Sequence, residues 1–446
     1  MSVSRNETVL APDRRHPARP PGAPGRRAAR DARDAPGYRI GPADRGFLSR
    51  VSTNLPTTGF FLDFDGPPPG PEELAARTLL RARSLPALHA LHPDPDRRRW
   101  TAGGDALDPA VHFHHRPALT GQRGLDAATG QLLHQQLPDA PHPRWDVWLL
   151  TPAETPAGDT SGTFRICFRI HHAVQDGVGA AYSVLALLAD TATEGPRLHP
   201  ARRPTVAGML SAGRDVLRSL RPEGKWPGLQ AESTGRSSWT YQDVAASHLR
   251  SLADAHGASV NDVCLAALAV ALRSWRDEQP AHPRPCPDLP VLIPMSTRQP
   301  HERHTPGNRV AAHRLLLPCS EEGFGEAVGR VNRQTAAVRD TRRRDAARAA
   351  LARPLVPRLA DWTVRTMGNR RSVPLGASSV TFPQAFSCFG ARLTAASMFY
   401  NMQENVPTYL SLTRTPDTVR CALMYDAALA RTATIPGHWK QALEEA

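Results

Sequence analysis

Thr163-Phe164-Arg165-Ile166-Cys167-Phe168-Arg169-Ile170-His171-His172-Ala173-Val174-Gln175-Asp176-Gly177 is the stretch from which the rest of the chain can be read. Its first eight residues put Phe164, Ile166, Phe168 and Ile170 on one side of an extended chain and Arg165 and Arg169 on the other. That is the two-residue period of a half-buried strand. Continuing the parity places His172 on the buried side and turns His171 the opposite way, so one imidazole is aimed into the protein and the other props it. Asp176 and Gly177 then supply turn chemistry, and Val178 to Ala189 is small and apolar at helical spacing. The two histidines therefore sit on a strand-to-helix turn. An imidazole with an ordinary pKa of about 6.5 is suited to taking a proton near neutrality.

His171-His172-x-x-x-Asp176-Gly177 resembles the signature of the condensation-like acyltransferases, a superfamily with the two-lobed chloramphenicol acetyltransferase fold. Four further stretches are similar to one branch of it, the wax ester synthase/diacylglycerol acyltransferase (WS/DGAT) family. Pro143-Arg144-Trp145-Asp146 precedes the histidine strand, and Ser259-Val260-Asn261-Asp262-Val263-Cys264-Leu265-Ala266-Ala267 opens a helix. Pro294-Met295-Ser296-Thr297-Arg298 is followed by Gly307-Asn308-Arg309-Val310, and Pro42-Ala43-Asp44 with Phe47 is similar to the family's first segment. The likeness covers nearly everything after Tyr38.

The resemblance implies an α/β (α+β) fold of two lobes with the active-site channel between them. It implies acyl transfer from a thioester by direct attack, with His172 as general base and no covalent serine or cysteine. Asp176 is then a carboxylate that holds the turn by an ion pair, with Arg298 as the candidate partner, although a carboxylate taking part in catalysis is the other reading. His171, Gly177, Trp145, Asn261, Asp262, Arg298 and Asn308 are expected to support the motif or line the channel. Gly177 reads as a position of close approach or positive φ. Ser379-Val380-Thr381-Phe382-Pro383 stands where the family usually carries Asn-Val-Pro-Gly-Pro, so that part of the channel is expected to differ.

Composition narrows the function class. The chain has 446 residues, 40% of them hydrophobic, which is ample for a large core. No run approaches the roughly eighteen consecutive apolar residues of a membrane span, and no apolar secretory segment opens the chain. The expected location is cytoplasmic, with peripheral contact to a membrane still compatible. Cys167, Cys264, Cys286, Cys319, Cys388 and Cys421 show no Cys-x-x-Cys spacing and read as reduced core residues. The net charge of +13 is almost entirely arginine, Lys225 and Lys440 being the only lysines. Without a recognisable nucleic-acid module, this excess points away from DNA or RNA and towards an anionic thioester donor, either acyl-CoA or an acyl carrier protein. His112, His114 and His115 lack a cysteine or a spaced third ligand and read as a surface strand or loop. Phosphate loops, dinucleotide fingerprints and nucleophile elbows are absent from the sequence, so no cofactor beyond the thioester co-substrate is expected.

Along the chain, residues 1–36 are polar and read as a flexible basic tail. Residues 37–200 read as the first lobe, with a strand at Phe60 to Phe64, a helix from Pro71 to Arg83 and a strand at Trp145 to Leu150. Residues 201–238, broken by Pro222 and Pro227, read as an inter-lobe linker. Residues 239–446 read as the second lobe. There Ser259 and Asp262 have capping-box spacing, a structural account that covers Asp262 and leaves Asn261 open. Arg330 to Arg353 reads as one arginine-rich helix with a solvated face, and Tyr409 to Thr413 with Thr418 to Tyr425 as a hairpin. The acceptor that the resemblance implies is a small hydroxyl or amine. The alternative enzyme is a condensation catalyst that uses carrier-bound donors to form an ester or amide in specialised metabolism. The third reading is a non-catalytic binder of the same fold, against which the intact motif speaks.

Overall fold

Two six-stranded mixed sheets carry the chain. The computed structural model describes residues 38–446 apart from 49–55, 90, 95, 97, 103–106, 120, 154–161, 220, 222–224, 280–284, 353–372 and 402–406, so the 1–36 tail lies outside the described residues. The first sheet runs β11 (Ser387–Cys388), β12 (Ala391–Tyr400), β1 (Thr57–Asp65), β6 (Thr163–His171), β5 (Trp145–Pro152) and β4 (Phe113–Ala118). The second runs β7 (Ser237–Ala245), β14 (Thr418–Asp426), β13 (Thr408–Arg414), β10 (Leu375–Thr381), β8 (Leu289–Ser296) and β9 (Val310–Leu317). A small ribbon, β2 (Leu91–Pro93) with β3 (Trp100–Ala102), stands apart from both.

Helices cover each sheet. In the first half, α1 (Pro42–Leu48) precedes β1, α2 (Pro71–Ala82) follows it, and α3 (Gln122–Leu132) lies along β4 and β5. Helix α4 (Gly177–Leu188) leaves the histidine turn and packs on β1 and α2, burying Val184 and Leu188 against Phe60, Phe64 and Phe168. In the second half, α7 (Val260–Asp277) opens with the Ser259–Asp262 capping box. It packs with α6 (Ala246–Ala255), α8 (Phe324–Asp340) and α10 (Ile435–Glu444), forming a second core around Leu268, Leu410, Leu423 and Trp439. A third apolar cluster, with Phe61, Phe399 and Met424, joins the two sheets.

β12 is the shared strand. It pairs antiparallel with β1 from Thr58↔Tyr400 to Asp65↔Arg392, although some 330 residues separate them in sequence. Its other edge pairs with β11 at Ala391 and Arg392, and around Met398 it is held by side chains of β13: Met398 N donates to Thr413 Oγ1 at 2.7 Å and Ser411 Oγ donates to Met398 O at 2.6 Å.

Strand β6 is not half-buried. Arg165 and Arg169 are 0% and 2% exposed, because each meets carboxylates rather than solvent. Arg165 reaches Asp63 at 2.5 Å and Asp126 at 3.0 Å. Asp63 in turn receives Arg420 of β14 at 2.7 Å, so one carboxylate links a guanidinium from each sheet. Arg169 forms a two-point pair with Asp146 and donates to Leu132 O and Gln135 O where α3 ends. Two further expectations change. Residues 201–238, read as a linker, contain the helix α5 (Val206–Ser219), packed on α9 (Arg343–Ala352) and tied to it by Arg343–Asp215 at 2.7 Å. The single helix expected over 330–353 is α8 and α9, parted where Arg342 adopts φ +51° in the left-handed region. The hairpin is present as β13 and β14. Among the described residues no single helix is long and apolar enough to cross a membrane.

The Asp63 clamp is testable. Asp63→Asn keeps the shape but leaves Arg165 and Arg420 facing a neutral amide, a loss of roughly 3–5 kcal/mol for a broken buried pair, to be read from urea unfolding near neutral pH. Burial opposes ionisation of Asp63, but the two guanidinium charges outweigh it and hold the carboxyl below its ordinary range. Its contribution is therefore complete above the unfolded value of about 4 and fades as pH falls through the lower folded value. The stability gap between wild type and variant narrows accordingly in acid.

Candidate active site

β6 ends at His171 and the chain turns at once. His171 N donates to Arg144 O at 2.9 Å, His172 N to Pro56 O at 2.7 Å and Val174 N to His171 O at 2.8 Å. The His171 ring accepts from Ala173 N through Nδ1 at 3.1 Å, which places its proton on Nε2. Burial first, then the nearby Arg144 and His172 charges, take its pKa down to about 3. His171 is a neutral prop inside the turn.

Asp176 closes that turn from two directions. Oδ1 accepts from Gly179 N at 2.7 Å and caps α4, the helix-start role its residue type favours. Oδ2 accepts from Arg298 Nη2 at 2.7 Å and from Arg309 N at 2.8 Å. Arg298, fully buried, also donates to the carbonyls of Glu302 at 2.8 Å, Thr305 at 2.7 Å and Gly307 at 2.9 Å. Gly307 N donates back to Val174 O at 2.7 Å. The histidine turn is thus clasped to the segment between β8 and β9. Burial alone would raise the Asp176 pKa, but the Arg298 charge and the Arg309 and Gly179 N–H groups outweigh it, and the carboxylate stays ionised.

Two glycines make room for this clasp. A Cβ on Gly179 would stand 2.9 Å from Arg298 Nη2, so only glycine lets the guanidinium close on Asp176 undisturbed. Gly177 has no positive φ; a Cβ there would stand 2.5 Å from Met398 Sδ, which makes it a position of close approach.

His172 begins the turn rather than ending the strand, and its ring opens on a cavity of about 1360 Å³ instead of entering the core. Phe47 of α1 stacks on it with centroids 4.4 Å apart, and Tyr400 of β12 meets it edge-on at 5.1 Å. Its Nδ1 is sealed from solvent with no hydrogen-bond partner among the described residues, leaving Nε2 as the nitrogen open to the cavity. Burial lowers the His172 pKa, offset in part by the Asp176 charge. Asn308 Nδ2 donates both to His172 O and to Asp44 Oδ1 at 2.7 Å, while Asn308 N and Gly41 N reach the same carboxylate at 2.8 Å. Asp44 is fully buried, which pushes its pKa up to about 6 against the pull of Asn308, Gly41 and Arg309. Asp44 therefore fixes α1, and with it Phe47, to the residue that holds the His172 carbonyl.

Of the residues singled out in the sequence, His172, Asp176, Gly177 and Asn308 line the cavity, and Arg298 stands directly behind Asp176. Trp145 does not line it. Its indole is fully buried, donates to Leu88 O at 2.8 Å and stacks on His112, because β5 beside β6 is an interior strand. His112, expected on a surface strand or loop, is likewise fully buried and bonded through Nδ1 to Trp145 O at 2.8 Å. Asn261 and Asp262 also lie off the cavity wall: they start α7, where Asp262 completes the cap and accepts from Thr335 Oγ1 at 2.7 Å. Ser379, Val380, Thr381 and Pro383, the departure from the family pattern, do line the cavity. Gly179, Arg309, Met398 and Tyr400 escaped sequence reasoning. Gly179 was findable as a small residue within reach of the Asp176 cap and Arg309 as part of the Gly307 to Val310 stretch; nothing local points to Met398 or Tyr400.

A family model described as the wax ester synthase/diacylglycerol acyltransferase catalytic domain matches residues 72–225. A putative diacylglycerol O-acyltransferase of Mycobacterium tuberculosis strain H37Rv is 26% identical over 319 residues, which are 61% of this chain and 67% of the relative. Among solved structures, the wax ester synthase/diacylglycerol acyltransferase from Marinobacter aquaeolei VT8 has a TM-score of 0.64 at 19% identity, covering 92% of this chain and 98% of that one. The first condensation domain of the calcium-dependent antibiotic synthetase has 0.62 at 18% identity, covering 92% and 97%. These likenesses establish the fold.

Asp176→Asn leaves Arg298 buried without a counter-charge, and we expect it to cost roughly 3–5 kcal/mol and to lower the melting temperature together with activity. An unchanged melting curve with abolished activity would instead make Asp176 a participant in the chemistry. Asp44→Asn loosens Phe47 and Asn308 rather than the fold as a whole. It is expected to cut activity with a smaller loss of stability, measured by the same pair of assays.

Proposed function

We propose that this chain, a wax ester synthase/diacylglycerol acyltransferase-like member of the condensation-domain superfamily, moves an acyl group from a thioester donor to a hydroxyl or amine acceptor with His172 as general base. The observation that carries this reading is the single open nitrogen: His172 is fixed through its backbone, the stacked Phe47 ring and the edge-on Tyr400 ring, and only Nε2 meets the cavity. The cavity exceeds the roughly 300–1,000 Å³ of a pocket for one small ligand, which suits an acyl chain and an acceptor together. Its walls include Phe47, Val178, Leu292, Val310 and Met398, an apolar lining suited to an acyl chain.

In this reaction the acceptor O–H or N–H gives its proton to Nε2 as the heteroatom attacks the thioester carbonyl carbon. The carbonyl π pair moves to oxygen, then returns as the C–S bond breaks. The imidazolium passes the proton to the departing thiolate, so thioester and acceptor become ester or amide and free thiol. A base buried enough to stay neutral is ready for the first step near pH 7, at some cost in basicity. Asp176 stabilises the imidazolium through its charge without taking the proton.

Acyl-CoA is the donor we favour, from the likeness to a diacylglycerol O-acyltransferase and a wax ester synthase. A carrier-bound thioester is the second reading, supported by a nearly equal likeness to a condensation domain.

His172→Ala is expected to lower transfer by about 10² to 10⁴, the usual contribution of a positioned base, with the fold retained; His171→Ala costs less. Release of free thiol from acyl-CoA and from acyl carrier protein, in the presence of alcohols and amines, measures both. A folded His172→Ala protein with most of its activity would sink the assignment, and a carrier-dependent enzyme ignores free acyl-CoA. The rate–pH profile adds an independent check. The neutral imidazole is the active form and its pKa is depressed, so the rate falls in acid with a midpoint below about 6.5.

A further inference from the structure

Four of the five arginines buried among the described residues come with carboxylates, and the fifth, Arg276, lies over the Trp226 ring. Arg165 has Asp63 at 2.5 Å, Arg169 has Asp146 at 2.5 Å, Arg298 has Asp176 at 2.7 Å, and Arg420 has Asp63 and Asp243 at 2.7 Å. The pattern follows from the cost of taking an unpaired guanidinium out of water. Arg414, the last residue of β13, breaks it. Its side chain is half-buried, it lines the cavity, and it has no ion pair and no side-chain hydrogen bond among the described residues.

Burial lowers the Arg414 pKa, and the Arg250 charge lowers it further. The group that would favour its charge is Cys264. That thiol is fully buried and pushed up to about 12, so it is neutral at pH 7 and is no counter-ion. Arg414 remains a cation all the same, since a guanidinium starts from above about 12. Its neighbour across the parallel pair with β10 is Thr381, within the Ser379 to Pro383 segment that lines the same cavity. The fold therefore holds a partly desolvated positive charge at the cavity wall with no carboxylate partner among the described residues.

We propose that Arg414 is an anion subsite of this cavity, taking a phosphate or carboxylate group of a substrate. A planar guanidinium meets either group through two parallel N–H···O bonds. The inference rests on the acyl-transfer reading for its choice of ligands: the phosphates of a coenzyme A or phosphopantetheine thioester are one source of the anion, and a carboxylate on the acceptor or acyl part is the other. It also gives the excess positive charge of the chain a local use that solvent-exposed arginines cannot have, because salt screens exposed charges over about 10 Å and partly buried ones much less.

The test is equilibrium binding by titration calorimetry to wild type, Arg414→Gln and Arg414→Lys, each first shown to melt as the wild type does. Three probes suffice: coenzyme A, which carries phosphates; pantetheine, which carries none; and decanoate, which carries a carboxylate. A charge-assisted hydrogen bond sets the scale, so Arg414→Gln is expected to weaken coenzyme A by roughly 10- to 100-fold and leave pantetheine unchanged. Arg414→Lys recovers part of the loss, since it keeps the charge and loses the fork. A loss confined to decanoate assigns the subsite to a carboxylate. Unchanged binding of both anionic probes in Arg414→Gln overturns the proposal. Wild-type protein that binds coenzyme A through Arg414 but releases no thiol from any acyl thioester refutes the transferase reading and leaves the subsite standing.

Discussion

The buried ion pair between Asp176 and Arg298 is the constraint on which the candidate site depends. Neither charge would be tolerated alone at that depth, and the pair persists because both terminal nitrogens of Arg298 and both oxygens of Asp176 are used, Arg298 Nε alone lacking a partner among the described residues. Asp176 accepts from Arg298, Arg309 N and Gly179 N, while Arg298 spreads its other hydrogens over three carbonyls of the 302–307 loop. One interaction consequently starts a helix of the first half, orders a loop of the second and sets the distance between them. The position of His172 follows, because its carbonyl is held by Asn308, one residue from Arg309.

Around the histidine the division of labour is electrostatic. The charged groups sit one layer back, in Asp176 and Asp44, and the ring itself meets Phe47 and Tyr400. Aromatic faces remove water and keep the imidazole neutral, while the distant carboxylate favours the protonated state that a base passes through. Asp44 joins the two layers: it anchors the helix that carries Phe47 and, through one asparagine, the backbone of the base.

The same residue type serves three purposes in this chain. Arg165 and Arg420 meet at Asp63 and clamp the two sheets, Arg298 sets the turn, and Arg414 stands on the cavity wall with no ion pair among the described residues. What separates these roles is the presence of an opposing carboxylate, which no property of the arginine itself reveals. A composition rich in arginine therefore does not mean a uniformly basic surface, since Arg165, Arg169, Arg298 and Arg420 are turned inward and neutralised.

Local order was legible in the sequence because it depends on neighbours along the chain. The period of β6, the turn at Asp176 and Gly177, the small-residue helix after it, the Ser259–Asp262 cap and the β13–β14 hairpin all follow from spacings of a few residues. Whether a face is solvated does not follow from them. Alternation marks the two sides of β6, yet only the carboxylates of β1, β5 and α3 decide that its arginine side is interior. The ends of the chain's long-range pairings were equally hidden. Tyr400 and Met398 reach the histidine turn because β12 adds to β1 across most of the sequence, and the motif carries no trace of that register. The residue types able to do the chemistry were thus set by sequence, with Trp145 and Asp262 included that pack and cap away from the cavity. Which of them share a cavity was decided only by tertiary structure, because side chains from β6, α1, β9 and β12 converge through strand pairing that no local pattern encodes.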